Sequence, residues 1–161
     1  METIAMTPDH WPDVKRIYEE GIVTGNATFQ TAAPSWEEWD GSHLTHSRLV
    51  AIDGDRITGW AALTPVSGRC VYAGVAEVSV YVAEAARGKG VGKQLLSRLI
   101  AESEEKGLWT LQAGIFPENK ASIRLHESAG FRTVGIREKI GKMNGQWRDT
   151  ALLERRSTSI Q

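Results

Sequence analysis

The chain has one cysteine, Cys70, and no excess of either charge. It has no apolar run near the ~20 residues that would span a bilayer. A single thiol excludes an internal disulfide and any cysteine-based zinc site, and it fits a reducing, cytoplasmic setting. No metal is expected. Nineteen Lys and Arg stand against twenty Asp and Glu, for a formal net charge of −1. That balance supplies no global field for nucleic acid or an anionic membrane surface, so neither is an expected partner. The opening Met-Glu-Thr-Ile carries no basic segment followed by an apolar stretch, and no secretion signal is expected from it. There are no internal repeats, linkers or low-complexity segments. At 161 residues the chain is read as a single domain, 1–161, long enough for a substantial core, with a polar tail from Arg155 expected to fray.

What the chain does have is concentrated in Glu77-Val-Ser-Val-Tyr-Val-Ala-Glu-Ala-Ala-Arg-Gly-Lys-Gly-Val-Gly-Lys93. A Val-rich strand leads into a helix through Gly88, Gly90 and Gly92, with Arg87, Lys89, Val91 and Lys93 around them. Glycine lets backbone approach a ligand closely and take unusual dihedrals. A helix starting there points unpaired N–H groups and its positive dipole end at one spot. The combination is an anion site suited to a pyrophosphate. It is not a Walker A loop, which would need Gly at 87 and a hydroxyl at 94, where the chain has Arg87 and Gln94. Nor is it a dinucleotide fingerprint: the third glycine comes one position early and too far along the chain. Taken alone, the same residues describe an ordinary strand-to-helix turn with a solvated basic rim.

Periodicity places the remaining elements. Thr3–Met6 reads as a strand, and Asp9–Glu20 as a helix ended by Gly21. Residues 22–34 read as a loop. Ser35-Trp-Glu-Glu38 has capping-box spacing for a helix to about Leu44. Arg48–Ile52 and Arg56–Leu63 read as strands joined by Asp53-Gly54-Asp55. Val71–Val82 reads as one long strand, Gly88–Lys106 as a helix ended by Gly107, and Thr110–Phe116 as a strand stopped by Pro117. Asn119 caps a helix to Ala129. Val134–Lys142 and Gln146–Leu153 read as a hairpin around Asn144-Gly145. This mixture gives an α/β or α+β class.

The loop Arg87-Gly-Lys-Gly-Val-Gly92 resembles the acetyl-CoA loop of the GNAT acetyltransferases. Asn119-Lys-Ala-Ser-Ile-Arg-Leu-His-Glu-Ser-Ala-Gly-Phe131 resembles that family's next helix. Ala76-Glu-Val-Ser-Val-Tyr-Val82, Ala27-Thr-Phe-Gln-Thr31 and the helix with Arg-Leu-His-Glu are similar to the phosphinothricin and methionine sulfoximine acetyltransferase branch, over a span from Ile4 to about Leu153. The resemblance implies a mixed, mostly antiparallel seven-stranded sheet with helices on both faces, acetyl-CoA as cosubstrate, a small-molecule amine as acceptor, direct transfer without an acetyl-enzyme, and a homodimer.

The resemblance also implies site roles. Arg87, Gly88, Lys89, Gly90, Val91, Gly92 and Lys93 would wrap the CoA pyrophosphate. Val80, Tyr81 and Val82 would pair main chain with the pantetheine arm, and an N–H there would face the oxyanion. Asn119 and Ser122 would contact pantetheine, although Asn119 is equally an N-cap. Glu77 would be the general base, since an amine with a pKa of about 10.4 must shed a proton before it attacks. Strand alternation puts Glu77 with Ser79 and Tyr81 on one face, and Val78, Val80 and Val82 on the other. His126 stands where most of the superfamily has tyrosine and would protonate the leaving sulfur or orient Glu77, yet a lone helical histidine is often structural. Phe29 would close over the acceptor or anchor the core. Tyr72 and Trp147 are candidate cleft aromatics, Tyr72 being the one assigned to acceptor binding. One departure bears on the acceptor. Several relatives place a carboxylate-gripping arginine four residues before the glutamate; here that residue is Ala73, with Arg69 the nearest substitute. The competing readings are acetylation of a polyamine, aminoglycoside or protein N-terminus, a non-catalytic acyl-CoA module, and a nucleotide-binding module.

Overall fold

The computed structural model describes residues 1–161. The strands are β1 (Glu2–Ala5), β2 (Leu49–Asp53), β3 (Arg56–Pro65), β4 (Val75–Val82), β5 (Thr110–Ile115), β6 (Arg132–Met143) and β7 (Gln146–Arg156). The helices are α1 (Trp11–Val23), α2 (Trp36–Ser42), α3 (Val91–Glu105) and α4 (Lys120–Ser128). The strands form one seven-stranded sheet in the order β1-β2-β3-β4-β5-β7-β6. Every neighbouring pair is antiparallel except β4 and β5, which run parallel. This is the mixed, mostly antiparallel sheet that the resemblance implied.

Alternation along β3 sets the layers, because adjacent residues face opposite sides. Gly59 faces α3: a Cβ there would lie 2.9 Å from Leu95 Cδ1 and 3.0 Å from Val91 Cγ1. Its neighbour Trp60 faces α1 and stacks on Tyr18 at 5.8 Å and on Tyr81 at 4.8 Å. The buried core is continuous from Val14 and Ile17 of α1 through Leu49, Trp60 and Leu63 to Leu95, Leu96 and Leu99 of α3. Burial of such side chains contributes about 1.5–3 kcal/mol each.

Four elements depart from the sequence reading. Helix α1 runs through Gly21 to Val23. Gly21 is there for packing rather than termination, since a Cβ would sit 2.7 Å from the Tyr81 ring. The expected long strand from Val71 begins only at Val75, after a 3-10 turn at Cys70–Tyr72. Gly74 breaks it: its carbonyl accepts from the N–H groups of Trp109 and Thr110, and a Cβ would lie 2.1 Å from the Trp109 ring. Helix α3 begins at Val91 rather than Gly88, because Gly88 (φ 78°) and Gly90 (φ 81°) are left-handed. The chain end is not frayed at Arg155. β7 continues to Arg156, and Ser157 is buried, its hydroxyl donating to Glu104.

The capping box at Ser35 and the Asn144-Gly145 turn form as read. Ser35 Oγ accepts from Glu38 N, and Asn144 and Gly145 have φ 50° and 79°. No helix is long and apolar enough to cross a membrane.

Candidate active site

The site exists because β4 and β5 part company. Their parallel pairing holds only at Val75–Thr110, Ala76–Leu111 and Glu77–Gln112. Beyond Glu77 the two strands splay, and Val78–Val82 have no strand partner on that side. Buried main-chain N–H and C=O groups need partners, so this open edge suits an extended, amide-bearing ligand. Two cavities meet along it. A groove of about 910 Å³ runs over the start of α3, and a cleft of about 810 Å³ lies on the α1 and α2 face. Ala27, Val80, Tyr81, Asn119 and Ser122 line both, so the two chambers communicate at the edge of β4.

The groove carries the anion loop. Arg87, Gly88, Gly90, Val91, Gly92 and Lys93 line it together with Val82; Lys89 does not. No protein acceptor takes the N–H groups of Gly88 to Lys93, and α3 has no side-chain cap. The left-handed Gly88 and Gly90 turn these donors toward one side, and the α3 dipole adds its positive end. The cradle therefore fits a diphosphate by donor chemistry, and the open edge of β4 fits the amide arm that follows.

Asn119 is more committed than its sequence role required. Its Oδ1 accepts from Ser122 N at 3.2 Å, and its Nδ2 donates to Asn26 O at 3.1 Å. It caps α4 and ties that helix to the 24–35 loop, whereas the Ser122 hydroxyl has no protein partner. Arg148 braces the same loop by donating to Gly25 O and Asn26 Oδ1, both at 2.9 Å, while it covers the Phe116 ring at 4.0 Å.

Glu77 sits at the last rung before the splay and lines the cleft with Ser79 and Tyr81, as alternation along the strand requires. Gln112 Nε2 donates to Glu77 Oε1 at 2.9 Å, which fixes the carboxylate while leaving its other oxygen free of protein donors. His126 lines the same cleft but makes no hydrogen bond to Glu77. The ring is 4% exposed, packs edge-on to Phe131, and donates from Nδ1 to Ser122 O at 2.7 Å. A carbonyl only accepts, so the neutral ring carries its proton on Nδ1 and presents Nε2 as an acceptor. Burial lowers its pKa below the ordinary histidine value, and the Ser122 carbonyl partly opposes the shift.

Phe29 lines the cleft, edge-on to Phe116 at 4.9 Å and seated over Gly141, where a Cβ would lie 2.7 Å from its ring. Tyr72 is not brought to the cleft. It is 47% exposed in the 3-10 turn before β4, under the Arg69 guanidinium at 5.7 Å. The early end of the strand at Gly74 puts both residues outside, so Arg69 does not replace the absent arginine either. Trp147 is exposed on β7, beside Lys142.

Sequence reasoning missed several lining residues: Tyr18, Glu38, His43, Arg137 and Thr150. Tyr18 stacks on Tyr81 at 5.0 Å, and burial raises the pKa of both phenols, so each remains a neutral hydroxyl. His43 stacks on Trp39 at 4.0 Å, donates from Nδ1 to Trp39 O, and has a pKa lowered by burial. Only Tyr18 had a usable signal, as a polar-tipped aromatic on the buried stripe of α1. The rest meet by tertiary folding.

Comparison with known proteins agrees with this arrangement. The model of the acetyltransferase (GNAT) family matches residues 6–131. The phosphinothricin N-acetyltransferase of Alcaligenes faecalis is 34% identical over 155 residues, covering 91% of this chain and 78% of that protein. Among solved structures, a phosphinothricin acetyltransferase from Sinorhizobium meliloti in complex with acetyl-CoA superposes with a TM-score of 0.88 at 29% identity, covering 99% of this chain and 91% of the other. A ribosomal-protein-alanine N-acetyltransferase from Brucella melitensis reaches the same TM-score at 29% identity, covering 98% and 100%. The chain belongs to the GNAT acetyltransferase family. Within it, the chain groups with the phosphinothricin and methionine sulfoximine acetyltransferase relatives, as an N-acetyltransferase that uses acetyl-CoA.

Proposed function

We propose that the protein acetylates the α-amino group of a small amino acid or a toxic analogue of the phosphinothricin or methionine sulfoximine type, with Glu77 as general base. The observation that carries this reading is the position of Glu77, where the β4–β5 pairing ends and the two cavities meet. Acetyl-CoA, when bound, supplies a thioester carbonyl as acyl donor. The N–H groups of Gly88 to Lys93 would hold its diphosphate, and the open edge of Val80–Val82 its amide arm. The free oxygen of Glu77 takes the ammonium proton, directly or through a water, while Gln112 keeps the carboxylate aimed. A main-chain N–H on the open edge faces the charge that develops during transfer. His126, with its Nδ1–H held by Ser122 O and Nε2 bare, would take the second proton that the attacking nitrogen sheds and hand it to the departing thiolate. Cys70 is exposed and lines neither cavity, so the reading is direct transfer without a cysteine acetyl-enzyme.

The reading includes a homodimer, supported by apolar side chains exposed on β6 and β7: Val134, Ile136 and Trp147. Sedimentation of a single species at the monomer mass would remove that part. The main test is CoA-thiol release over a panel of amines with acetyl-CoA. Amino acids and their sulfoximine, sulfone and phosphinate analogues should turn over best. Turnover confined to polyamines, aminoglycosides or peptide N-termini would refute the acceptor class, and none with any amine would favour a non-catalytic acyl-CoA module.

A further inference from the structure

Position 73 is alanine and Arg69 lies outside the cleft, so an amino-acid acceptor needs its anionic group held from elsewhere. The formally charged residues lining the cleft are Glu38, Glu77 and Arg137. The Glu38 carboxylate is committed, because it accepts from Ser35 N at 3.1 Å and closes the capping box of α2. Burial keeps His43 and His126 predominantly neutral at pH 7. Arg137 alone is a cation facing this cavity without an ion pair or hydrogen bond to the protein. Arg148, close by on β7, has its guanidinium engaged with Gly25, Asn26 and Glu118.

The backbone is irregular on both sides of Arg137: Val134 is an extra residue between the pairs Thr133–Leu153 and Gly135–Leu152, which puts Arg137 rather than Ile136 on the cleft face. Arg137 pairs with Thr150 of β7, which also lines the cleft, and the next pair is Gly141 with Arg148. Residues 138–140 of β6 thus oppose Asp149 alone, which makes a bulge. Lys139 sits at φ 47°, and its N–H donates to Asp149 Oδ1 at 2.8 Å. Bulges re-aim side chains, and a left-handed non-glycine residue is a strained arrangement that recurs at functional sites. Here the bulge brings Ile140 to the cleft wall and leaves Gly141 as the seat of Phe29. β6 lies three strands from β4. Glu77 lies level with Glu154 of β7 and Arg137 with Thr150, four residues further along; at about 4.8 Å per strand and about 3.4 Å per residue the two backbone positions stand roughly 20 Å apart. Long side chains reaching in from each wall leave room for a small acceptor between guanidinium and carboxylate.

We propose that Arg137 binds the anionic group of the acceptor, opposite the amine-accepting Glu77, and so selects amino acids over simple amines. The inference rests on the amino-acid reading above. The planar guanidinium engages a carboxylate or phosphinate with two parallel hydrogen bonds, and its cross-strand partner Thr150 lines the same cleft. The anion is either the α-carboxylate or an acidic side-chain end such as a phosphinate.

The experiment compares steady-state kinetics of wild type, Arg137→Ala and Arg137→Lys on three acceptors: phosphinothricin, its α-carboxamide, and methionine sulfone, whose sole acid is the α-carboxylate. Arg137→Ala should lower kcat/KM for the bound acid by about 10- to 100-fold, mainly through KM, as expected for loss of a charged hydrogen-bond pair. Arg137→Lys should recover part of that loss. CoA affinity and melting temperature should stay at wild-type values, because Arg137 is exposed and unpaired. Equal losses on phosphinothricin and methionine sulfone, with the carboxamide unchanged, identify the α-carboxylate as the anion. A loss on phosphinothricin and its carboxamide, with the sulfone unchanged, identifies the phosphinate. Wild-type kinetics of Arg137→Ala on both acids overturn the inference and leave the amino-acid reading standing. A wild-type enzyme that ignores all three and acetylates only amines without an acid group overturns both.

Discussion

Gly90→Ala and Gly107→Ala impose the same local strain at opposite ends of α3. Gly90 has φ 81° and Gly107 φ 83°, and a Cβ at either would meet nothing within 4 Å. The penalty is therefore torsional in both, about 1–2 kcal/mol for an L-residue held left-handed. For a chain of this size it should appear as a drop of roughly 2–8 °C in melting temperature. The two differ in what their backbone does. The Gly90 N–H belongs to the unpaired run over the groove, whereas Gly107 ends α3 with its N–H donating to Glu104 O at 3.0 Å. If alanine rotates residue 90 toward the right-handed region, at least one donor swings away from the anion. Loss of one hydrogen bond to a charged group costs about 1.5–3 kcal/mol, or roughly 10- to 100-fold in CoA affinity. Thermal melts and calorimetric titration with CoA read the two effects separately. Equal loss of stability with CoA weakened only in Gly90→Ala is the expected pair of results. Equal CoA affinity in both variants would refute the assignment of the loop.

Two further outcomes follow from the site. Glu77→Gln preserves shape but removes the proton acceptor, so turnover should fall by about 10²-fold or more with CoA affinity nearly intact; wild-type turnover in that variant would remove the assigned role. His43, His46 and His126 each have a folded pKa pushed below the ordinary value of about 6.5 by burial. The folded state then binds fewer protons than the unfolded chain in the window beneath that value. Stability should be full above about pH 6.5 and should decline as pH falls through the depressed values. Urea titrations from pH 7.5 to 5.5 measure it; stability that rises toward acid pH would contradict the burial argument.

The architecture was largely legible where local chemistry decides it. Gly88 and Gly90 marked the loop, Ser35 and Asn119 marked helix starts, and Asn144-Gly145 marked the last hairpin, because caps and turns select residues through short-range hydrogen bonds and dihedrals. Glycines chosen for a distant neighbour were misread. Gly21 looked like a stop and is a contact with Tyr81, while Gly74 looked like strand interior and makes room for Trp109. Glu77 was found through alternation and the resemblance, yet Gln112, which holds it, is a partner in another strand. Arg137 carried no local signal. Its place in the cleft comes from the extra residue Val134, which sets its facing, and from the sheet order that puts β6 beyond β7. Tyr72 failed as a cleft residue for the same long-range reason, the interruption of its strand at Gly74.

The central claim is that the free main-chain amides of Gly88 to Lys93 hold the diphosphate of acetyl-CoA and thereby set its acyl end near Glu77. The direct measurement is amide NMR of 15N-labelled protein titrated in turn with CoA, with dephospho-CoA, which keeps the diphosphate and lacks the 3′-phosphate, and with pantetheine, which lacks both. The amide signals of Gly88, Gly90, Val91 and Gly92 should shift and saturate with CoA and dephospho-CoA and stay in place with pantetheine. Shifts centred on any other segment, with these amides unmoved by CoA, would contradict it.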